Sequence, residues 1–565
     1  MSLSYRAHRA LLAVAKALTL LGSLGMLVLL CVATVAMHAG AQPASSSLDS
    51  VVPRVVHVRR VDTTTTLRID TTRVVRCDTM TDTLRVVPLA LQRFDGGAGR
   101  LTITNGIPLV RGLATAATLD SMHVVVAGVE RAASFTALFG RHPDGSLRAV
   151  LVQFSDSLAD GAPVDAQLVI GTPYDTAALP RPGVAVTSPV PAAAALPTDP
   201  RYLIASSWGG PLSVAGSDTS AIVRQFESDY RRLEAAEWVR CGPKWDCGRT
   251  AGYDRAYIAY QAWLRTGDAT LWYHATAMVD DYLTRYIAVN SGSPAWWTMT
   301  ESMPLHYWAT GSDRTRYQLR KTAEIQAWMT RKGMSGWMGG TYGDDRMRAR
   351  ALAAALDAAR LEMLAQPADA ARYYTIAGAS LVYYGRYLTP DSLPAMVSNL
   401  LASQRKDGQF GGRYYSASTW SADSGGQSNY MVGMLLQALT RYYDEVSPDP
   451  RILAAVQRAV DDLWAREYDP LTRSFQYHSL RGTDEGATTP ARPNPEPGLN
   501  AFLLAPATWL AATTGQPSNA QRTPSVRTLL EGLAAKTPRD WWLRGGKAFD
   551  EAFWHLFNTI AQAPR

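Results

Sequence analysis

Apolar positions follow two different periods along this chain, and the change between them divides it. From about residue 99 to residue 171, short runs alternate apolar and polar positions: LTITNGIPLV, HVVVAGV and LRAVLVQF. Turn signals stand between them at Asn105-Gly106, Pro143-Asp144-Gly145 and Asp160-Gly161. A period of two puts alternate side chains on one sheet face, and short strands at this spacing predict a β-sandwich. From Asp218 onward the period becomes 3.6, the signature of amphipathic helices. Helices are expected over 219–240, 252–266, 270–289, 298–310, 314–332, 345–365, 369–404 (broken at Thr389-Pro390), 427–445, 449–467, 499–513, 521–535 and 548–561.

The connections between these twelve segments alternate. Tight turns such as Thr266-Gly267-Asp268 and Thr310-Gly311-Ser312-Asp313 join the second to the third, the fourth to the fifth, and so on. Longer loops rich in Gly, Trp, Tyr and charge join the remainder, among them the stretch 333–350, GMSGWMGGTYGDDRMRAR. Short turns make antiparallel helical hairpins. Six hairpins in series predict an (α/α)6 toroid with even-numbered helices inside and odd ones outside. Inner helices should be apolar and small-residue rich, as in ARALAAAL at 349–356; outer ones should carry a charged face, as in DRTRYQLRKTAE at 313–324. The fold class is therefore multidomain α+β, an N-terminal β-sandwich followed by a toroid. Alternation also gathers the six long loops on one rim, at the N-terminal ends of the inner helices, where free N–H groups and partial positive charge suit carboxylates.

Upstream, Arg6, Arg9 and Lys16 precede an uncharged apolar run over 17–37 and the small-residue signature Ala39-Gly40-Ala41. This predicts a signal peptide cleaved after Ala41, with an uncleaved signal anchor as the alternative. Either form exports the rest, to a periplasmic, cell-surface or secreted location. Residues 42–97 read as a tether and stalk, built on an eight-residue repeat: Arg60-Val61-Asp62-Thr63, Arg68-Ile69-Asp70-Thr71 and Arg76-Cys77-Asp78-Thr79. The stalk is a candidate for assembling copies of the chain, or else a solvated linker. The sandwich takes 98–171, a Pro/Ala-rich linker 172–200, and the toroid 201–565.

Composition narrows the function. The chain has 565 residues, 47% hydrophobic and 19% charged, with a formal charge of +7. The leader supplies three positive and no acidic residues, which leaves the remainder mildly basic. That permits an acidic ligand but offers no basic run of nucleic-acid-binding quality. Membrane contact is expected only through the N-terminal segment, if uncleaved. Cys241 and Cys247, six apart in an exported chain, predict a small disulfide loop. No metal site and no cofactor is called for. Tryptophan (16) and tyrosine (25) outnumber phenylalanine (11), a bias toward rings with a polar handle.

Two stretches resemble known families. NGIPLVRG at 105–112, followed by RHPDGSLR at 141–148, looks like the N-terminal sandwich of exo-rhamnogalacturonan lyase-like proteins, with His142 and Ala149 where that family carries tryptophan. The helix count, the turns and QRKDGQF at 404–410 resemble the six-hairpin glycosidase superfamily over about 219–562. The resemblances imply a carbohydrate-active protein on an (α/α)6 scaffold and tilt the chemistry toward a lyase.

The rim supplies residues for either chemistry. Glycoside hydrolysis needs two carboxyl groups flanking the bond; β-elimination needs a base near a uronate α-carbon and a group neutralising its carboxylate. Candidate catalytic residues are Asp254, Glu301, His306, Tyr342, Asp344 and Asp345. Each also has a structural reading: Asp344 as an N-cap, Asp345 and Glu301 as first-turn acids, His306 as a core histidine. Trp245, Trp296, Trp297, Trp337, Arg346, Arg413, Tyr414, Tyr415, Trp420 and Trp541 are candidate sugar contacts, or caps on the toroid core. His478 is a further rim candidate, and His555 reads as packing. The leading expectation is β-elimination on an acidic polysaccharide. The alternatives are a glycoside hydrolase with a rim carboxylate pair and a non-catalytic glycan-binding or structural envelope protein.

Overall fold

The structure is a computed structural model and describes residues 85–159, 161–171, 187–247, 253–290, 297–332, 345–364, 371–376, 379–384, 388–410, 428–477, 479, 495, 500–516, 550–551 and 553–562. The leader and the eight-residue repeat lie outside them. Among the described residues no helix is long and apolar enough to cross a membrane.

Eight strands make two antiparallel sheets: β1 (Arg85–Arg93), β2 (Gly99–Pro108), β3 (Met122–Val126), β4 (Val129–Arg131), β5 (Ala133–Ala137), β6 (Ala149–Leu158), β7 (Val164–Ile170) and β8 (Ala193–Pro197). One sheet has the order β4-β3-β7-β1-β8, the other β2-β6-β5. Leu89, Leu91, Val124 and Leu168 of the first meet Ile103, Ile107, Val150, Val152 and Phe154 of the second in one apolar core.

Three expectations change here. The sheet begins at Arg85, inside the region assigned to the stalk, and ends at Pro197, inside the assigned linker. Pro88 obscured β1, yet β8 pairs with β1 only from Leu89 onward, so the missing N–H at Pro88 costs no ladder bond on that side. The alanines of β8 have low β-propensity, but the strand is buried on both faces: Ala193 and Ala195 in the sandwich core, Ala194 and Leu196 in the helical core. Asn105-Gly106 is no turn. It lies mid-strand, opposite Val152 and Leu151. The Asn105 amide donates to Ala195 O (2.9 Å) and accepts from Ala195 N (2.8 Å), tying β2 to β8 of the other sheet.

The helical part contains α1 (Pro200–Ala205), α2 (Ala221–Cys241), α3 (Arg255–Thr266), α4 (Ala269–Tyr282), α5 (Ser302–Thr310), α6 (Asp313–Lys332), α7 (Asp345–Arg360), α8 (Ser392–Ala402), α9 (Asn429–Glu445), α10 (Pro450–Asp462), α11 (Asn500–Thr514) and α12 (Leu556–Gln562). Left-handed Gly267 and Gly311 close the tight turns after α3 and α5. Among the described residues, α3, α5, α7, α9, α11 and α12 touch in succession. Asn558 of α12 then reaches back to Tyr257 (3.5 Å) and Gln261 (2.5 Å) of α3. The expected helix over 369–404 is corrected: strands β9 (Ala371–Ile376) and β10 (Ala379–Tyr384) form a hairpin, and helix resumes only at Ser392. ARYYTI and ASLVYY are rich in aromatic and β-branched residues and stand two residues apart with a glycine between, a hairpin pattern.

The C-terminal end of α5 seats the sandwich. Trp308 Nε1 donates to Phe139 O (2.8 Å), and Phe139 N donates to the Tyr307 hydroxyl (3.2 Å). Gly106 lies so close to the Trp308 carbonyl that a β-carbon there would collide with backbone. Gly106→Ala should therefore lower stability by about 1–3 kcal/mol, read as a fall in the urea midpoint at unchanged slope. An unchanged midpoint would mean that the seam yields.

Candidate active site

Two helix N-termini converge on one carboxyl group. Asp254 caps α3, its Oδ1 accepting from Tyr257 N (3.0 Å), while its Oδ2 accepts from Ser302 N (2.9 Å) at the start of α5. Glu301 immediately precedes α5, and its Oε2 accepts from Thr300 N (3.1 Å). Both acids are buried. Helix N-termini stabilise anions, which is why the sequence tolerates two carboxyl groups here.

Cations arrive from α7 and α9. Arg350 of α7 lies 4.0 Å from Glu301 Oε2. Arg441 of α9 donates to Asp357 Oδ1 of α7 (2.7 Å) and to Glu445 Oε1 (3.1 Å). The Thr300 hydroxyl donates to Asp357 Oδ2 (2.7 Å), so the residue preceding Glu301 is anchored to this pair. Arg350 and Asp357 stand seven apart, two turns along one helix face. His555, left-handed at φ 59°, turns the chain just before α12.

These neighbours drive the two acids apart. Burial, reinforced by the Glu301 charge, pushes Asp254 up to about 7. Burial acts to raise Glu301 too, but Arg350, His555 and Arg441 outweigh it and hold Glu301 below the usual carboxylate range. At neutral pH one acid keeps a proton for part of the time and the other is ionised, a division seen where one group must donate and another must stay charged. Burial raises Asp357 despite Arg441, and burial lowers His555 to about 4, so that it is neutral.

Two cavities adjoin the acids. The first, about 400 Å³, is lined by Trp245, Asp254, Met278, Tyr282, Met299 and Ser302 among others. The second, about 260 Å³, is lined by Glu301, Arg350, Gln437, Arg441, Trp554 and His555 among others. Among the described residues no group of three or more His, Cys, Asp or Glu stands where it could hold a metal ion.

The candidates from sequence divide into three groups. Asp254 and Glu301 come together, and Trp245 lines the first cavity while packing on Tyr286 at 4.8 Å. His306 and Asp345 have partners that fit their structural readings. His306 is fully buried between Thr315 Oγ1 (2.8 Å) and Pro189 O (3.0 Å), with both ring nitrogens occupied. Asp345 is buried against Arg348 (3.1 Å). Arg346 is half-buried in the first turn of α7, and the Trp297 carbonyl accepts from the Tyr282 hydroxyl (2.7 Å). Trp296, Trp337, Tyr342, Asp344, Arg413, Tyr414, Tyr415, Trp420, His478 and Trp541 lie outside the described residues. Cys241 and Cys247 form a disulfide, and the turn it closes brings Trp245 N to Asp281 (2.9 Å).

Sequence reasoning missed Arg350, Asp357, Arg441 and Trp554, and set His555 aside as packing. The available signal was charge inside apolar helices: Arg350 and Asp357 flank ALAAAL, and Arg441 follows VGMLLQALT. Charges at such positions are expensive unless paired or used.

No protein-family model matches the chain, and no curated protein matches it. Among solved structures, a GH78 family rhamnosidase of Bacillus sp. GL1 is similar at 12% identity with a TM-score of 0.22, over 84% of this chain and 45% of that one. The chain thus spans less than half the length of that protein. A likeness at this level identifies neither fold nor function.

Burial holds His306 and His555 near 4, below the ordinary histidine value of 6.5. The folded state then binds fewer protons than the unfolded one between those values, so stability present above 6.5 is lost as pH falls toward 4. Each histidine contributes up to about 3 kcal/mol to that loss, while Asp254, with its raised value, contributes with the opposite sign. Asp357, Asp444 and Asp550, also raised by burial, act in the same direction as Asp254, so the expected outcome is a difference: on acidification from pH 7 to pH 4, His306→Gln should lose less melting temperature, or gain more, than wild type. Equal slopes for wild type and variant would exclude His306 as a source.

Proposed function

We propose that this protein is an exported carbohydrate-active enzyme that hydrolyses a glycosidic bond with the carboxyl pair Asp254 and Glu301. One observation carries the reading: two buried acids, held at adjoining helix N-termini, have affinities for protons shifted in opposite directions. Asp254, partly protonated at neutral pH, is the acid that protonates the departing glycosidic oxygen. Glu301, ionised, either activates a water or attacks the sugar carbon. Tyr282 and Trp245 supply aromatic surface beside Asp254 for a sugar face.

The architecture supports the same reading. Successive contacts through α3, α5, α7, α9, α11 and α12, with Asn558 bonded back to α3, support an (α/α)6 toroid. The acids then stand at inner-helix N-termini, on the rim opposite the end that seats the sandwich. The disulfide between Cys241 and Cys247 suits an oxidising compartment, in keeping with the leader. The Thr-rich repeat serves as a spacer between that leader and the enzyme, or as an assembly stalk.

A second reading keeps its place because of Arg350 and His555. In β-elimination a guanidinium neutralises the uronate carboxylate while a neutral imidazole takes the α-proton, and both groups line the cavity that holds Glu301.

Reducing-end release over a panel of neutral and acidic polysaccharides separates these readings. Hydrolysis should occur on at least one substrate and fall by about 10²–10⁴-fold in both Asp254→Asn and Glu301→Gln. The pH profile should be a bell. Its acidic limb lies below the ordinary glutamate value of 4.5, as Glu301 takes a proton, and its alkaline limb near 7, as Asp254 loses one. Products absorbing at the unsaturated-uronate band, without dependence on Asp254, would select β-elimination. Glycan binding without turnover would select a non-catalytic role.

A further inference from the structure

Arg350 is the group that the proposed hydrolysis leaves unused. Its side chain is 2% exposed, and none of its three nitrogens has a hydrogen-bond partner. The nearest carboxylate oxygen, Glu301 Oε2, stands at 4.0 Å, beyond hydrogen-bond range. A guanidinium carries five N–H donors in a planar fork, and burying them unbonded is costly. The same cavity holds two further unsatisfied atoms, the Trp554 Nε1 donor and the Gln437 Oε1 acceptor. Gln437 is fixed in orientation, because its Nε2 donates to Phe502 O (3.0 Å).

These three unpaired groups ask for a ligand with a definite pattern. The fork matches a planar carboxylate, the indole N–H matches an ether or hydroxyl oxygen, and the amide oxygen matches a hydroxyl proton. The Tyr253 and Trp554 rings, 5.7 and 5.3 Å from the guanidinium carbon, wall the arginine with apolar surface. The other ionisable groups facing the cavity do not compete for the carboxylate. Arg441 is taken up by Asp357 and Glu445, His555 is buried, and Glu301 is itself anionic.

We propose that the cavity between α7, α9 and the segment preceding α12 is a uronic-acid subsite. Arg350 receives the sugar carboxylate, Trp554 Nε1 binds a ring or hydroxyl oxygen, and Gln437 Oε1 binds a sugar hydroxyl. The inference rests on the hydrolase reading and names its substrate class: an acidic glycan with a uronate seated beside Glu301.

The test is calorimetric binding of the full chain at pH 7 to D-glucuronate and D-galacturonate, against D-glucose, D-galactose and inorganic phosphate. At least one uronate should bind, with its neutral counterpart and phosphate at least tenfold weaker. Arg350→Met should bring uronate affinity down at least tenfold, to the level of the neutral sugar. Glu301→Gln, which removes the negative charge 4.0 Å from Arg350, should bind uronate at least as tightly as wild type while losing turnover. Equal affinity for uronate and neutral sugar in the wild type would overturn the subsite, and that comparison needs no variant to fold. Phosphate binding as strong as uronate binding would overturn it as well, as would an unchanged Arg350→Met or no uronate binding at all. Cleavage of neutral glycans alone, without uronate binding, sinks the subsite and leaves the hydrolase. Uronate binding in an enzyme whose turnover ignores Asp254 and Glu301 does the reverse.

Discussion

Three carboxyl groups, Asp254, Glu301 and Asp357, lie buried where α3, α5 and α7 meet, and the rest of the arrangement answers to that constraint. Removing an ion from water costs several kcal/mol even after relaxation, so each needs a nearby compensation. Asp254 has two helix N-termini. Asp357 has Arg441 and the Thr300 hydroxyl. Glu301 has one backbone N–H and two arginines that act mainly through space. Because Arg441 spends its hydrogen bonds on Asp357 and Glu445, Arg350 is left as the cation with bonding capacity to spare.

The same polar chain runs on to the sandwich. Glu445 lies 3.7 Å from Arg360, which donates to Trp208 O (3.1 Å). Arg360 and Arg148, the residue preceding β6, both sit over the Trp308 ring, at 5.2 and 5.3 Å. The seam is polar as well as apolar, and the strands that form it serve two cores at once. Ala149 and Leu151 of β6 point into the helical core, while Val150, Val152 and Phe154 point into the sandwich. This explains why β6 and β8 read as unbroken apolar runs, and why the sandwich supports the helical part at the end opposite the acids.

Legibility followed how local each signal was. Helices α3, α5, α7 and α9 could be read from period 3.6, and α3 and α5 also from turn glycines, because both signals are set within a few residues. The site was half legible: Asp254 and Glu301 stood out as acids at helix starts. Asp345 stood out by the same logic, and His306 as a histidine on a helix of the array; the first is in a local ion pair and the second is hydrogen-bonded through both ring nitrogens. An acid at a helix start is favourable whether or not it does chemistry, so position alone does not separate the cases. The hairpin at 371–384 was misread because a long helical array supplied a strong expectation, which aromatic and β-branched local content overrode.

By itself the sequence determined the change from period two to period 3.6, the pairing of Cys241 with Cys247, and the placing of acids at helix starts. These are contained in side-chain type and short-range spacing. Tertiary structure alone decided that Gly106 lies under the Trp308 carbonyl, that β1 and β8 join the sheet, and that Arg350 stays unbonded while Arg441 is consumed. It also decided that Asp254 and Glu301 are driven to opposite protonation. Those outcomes depend on which charges and backbone atoms share a buried space across dozens to hundreds of residues. No local pattern encodes that distance.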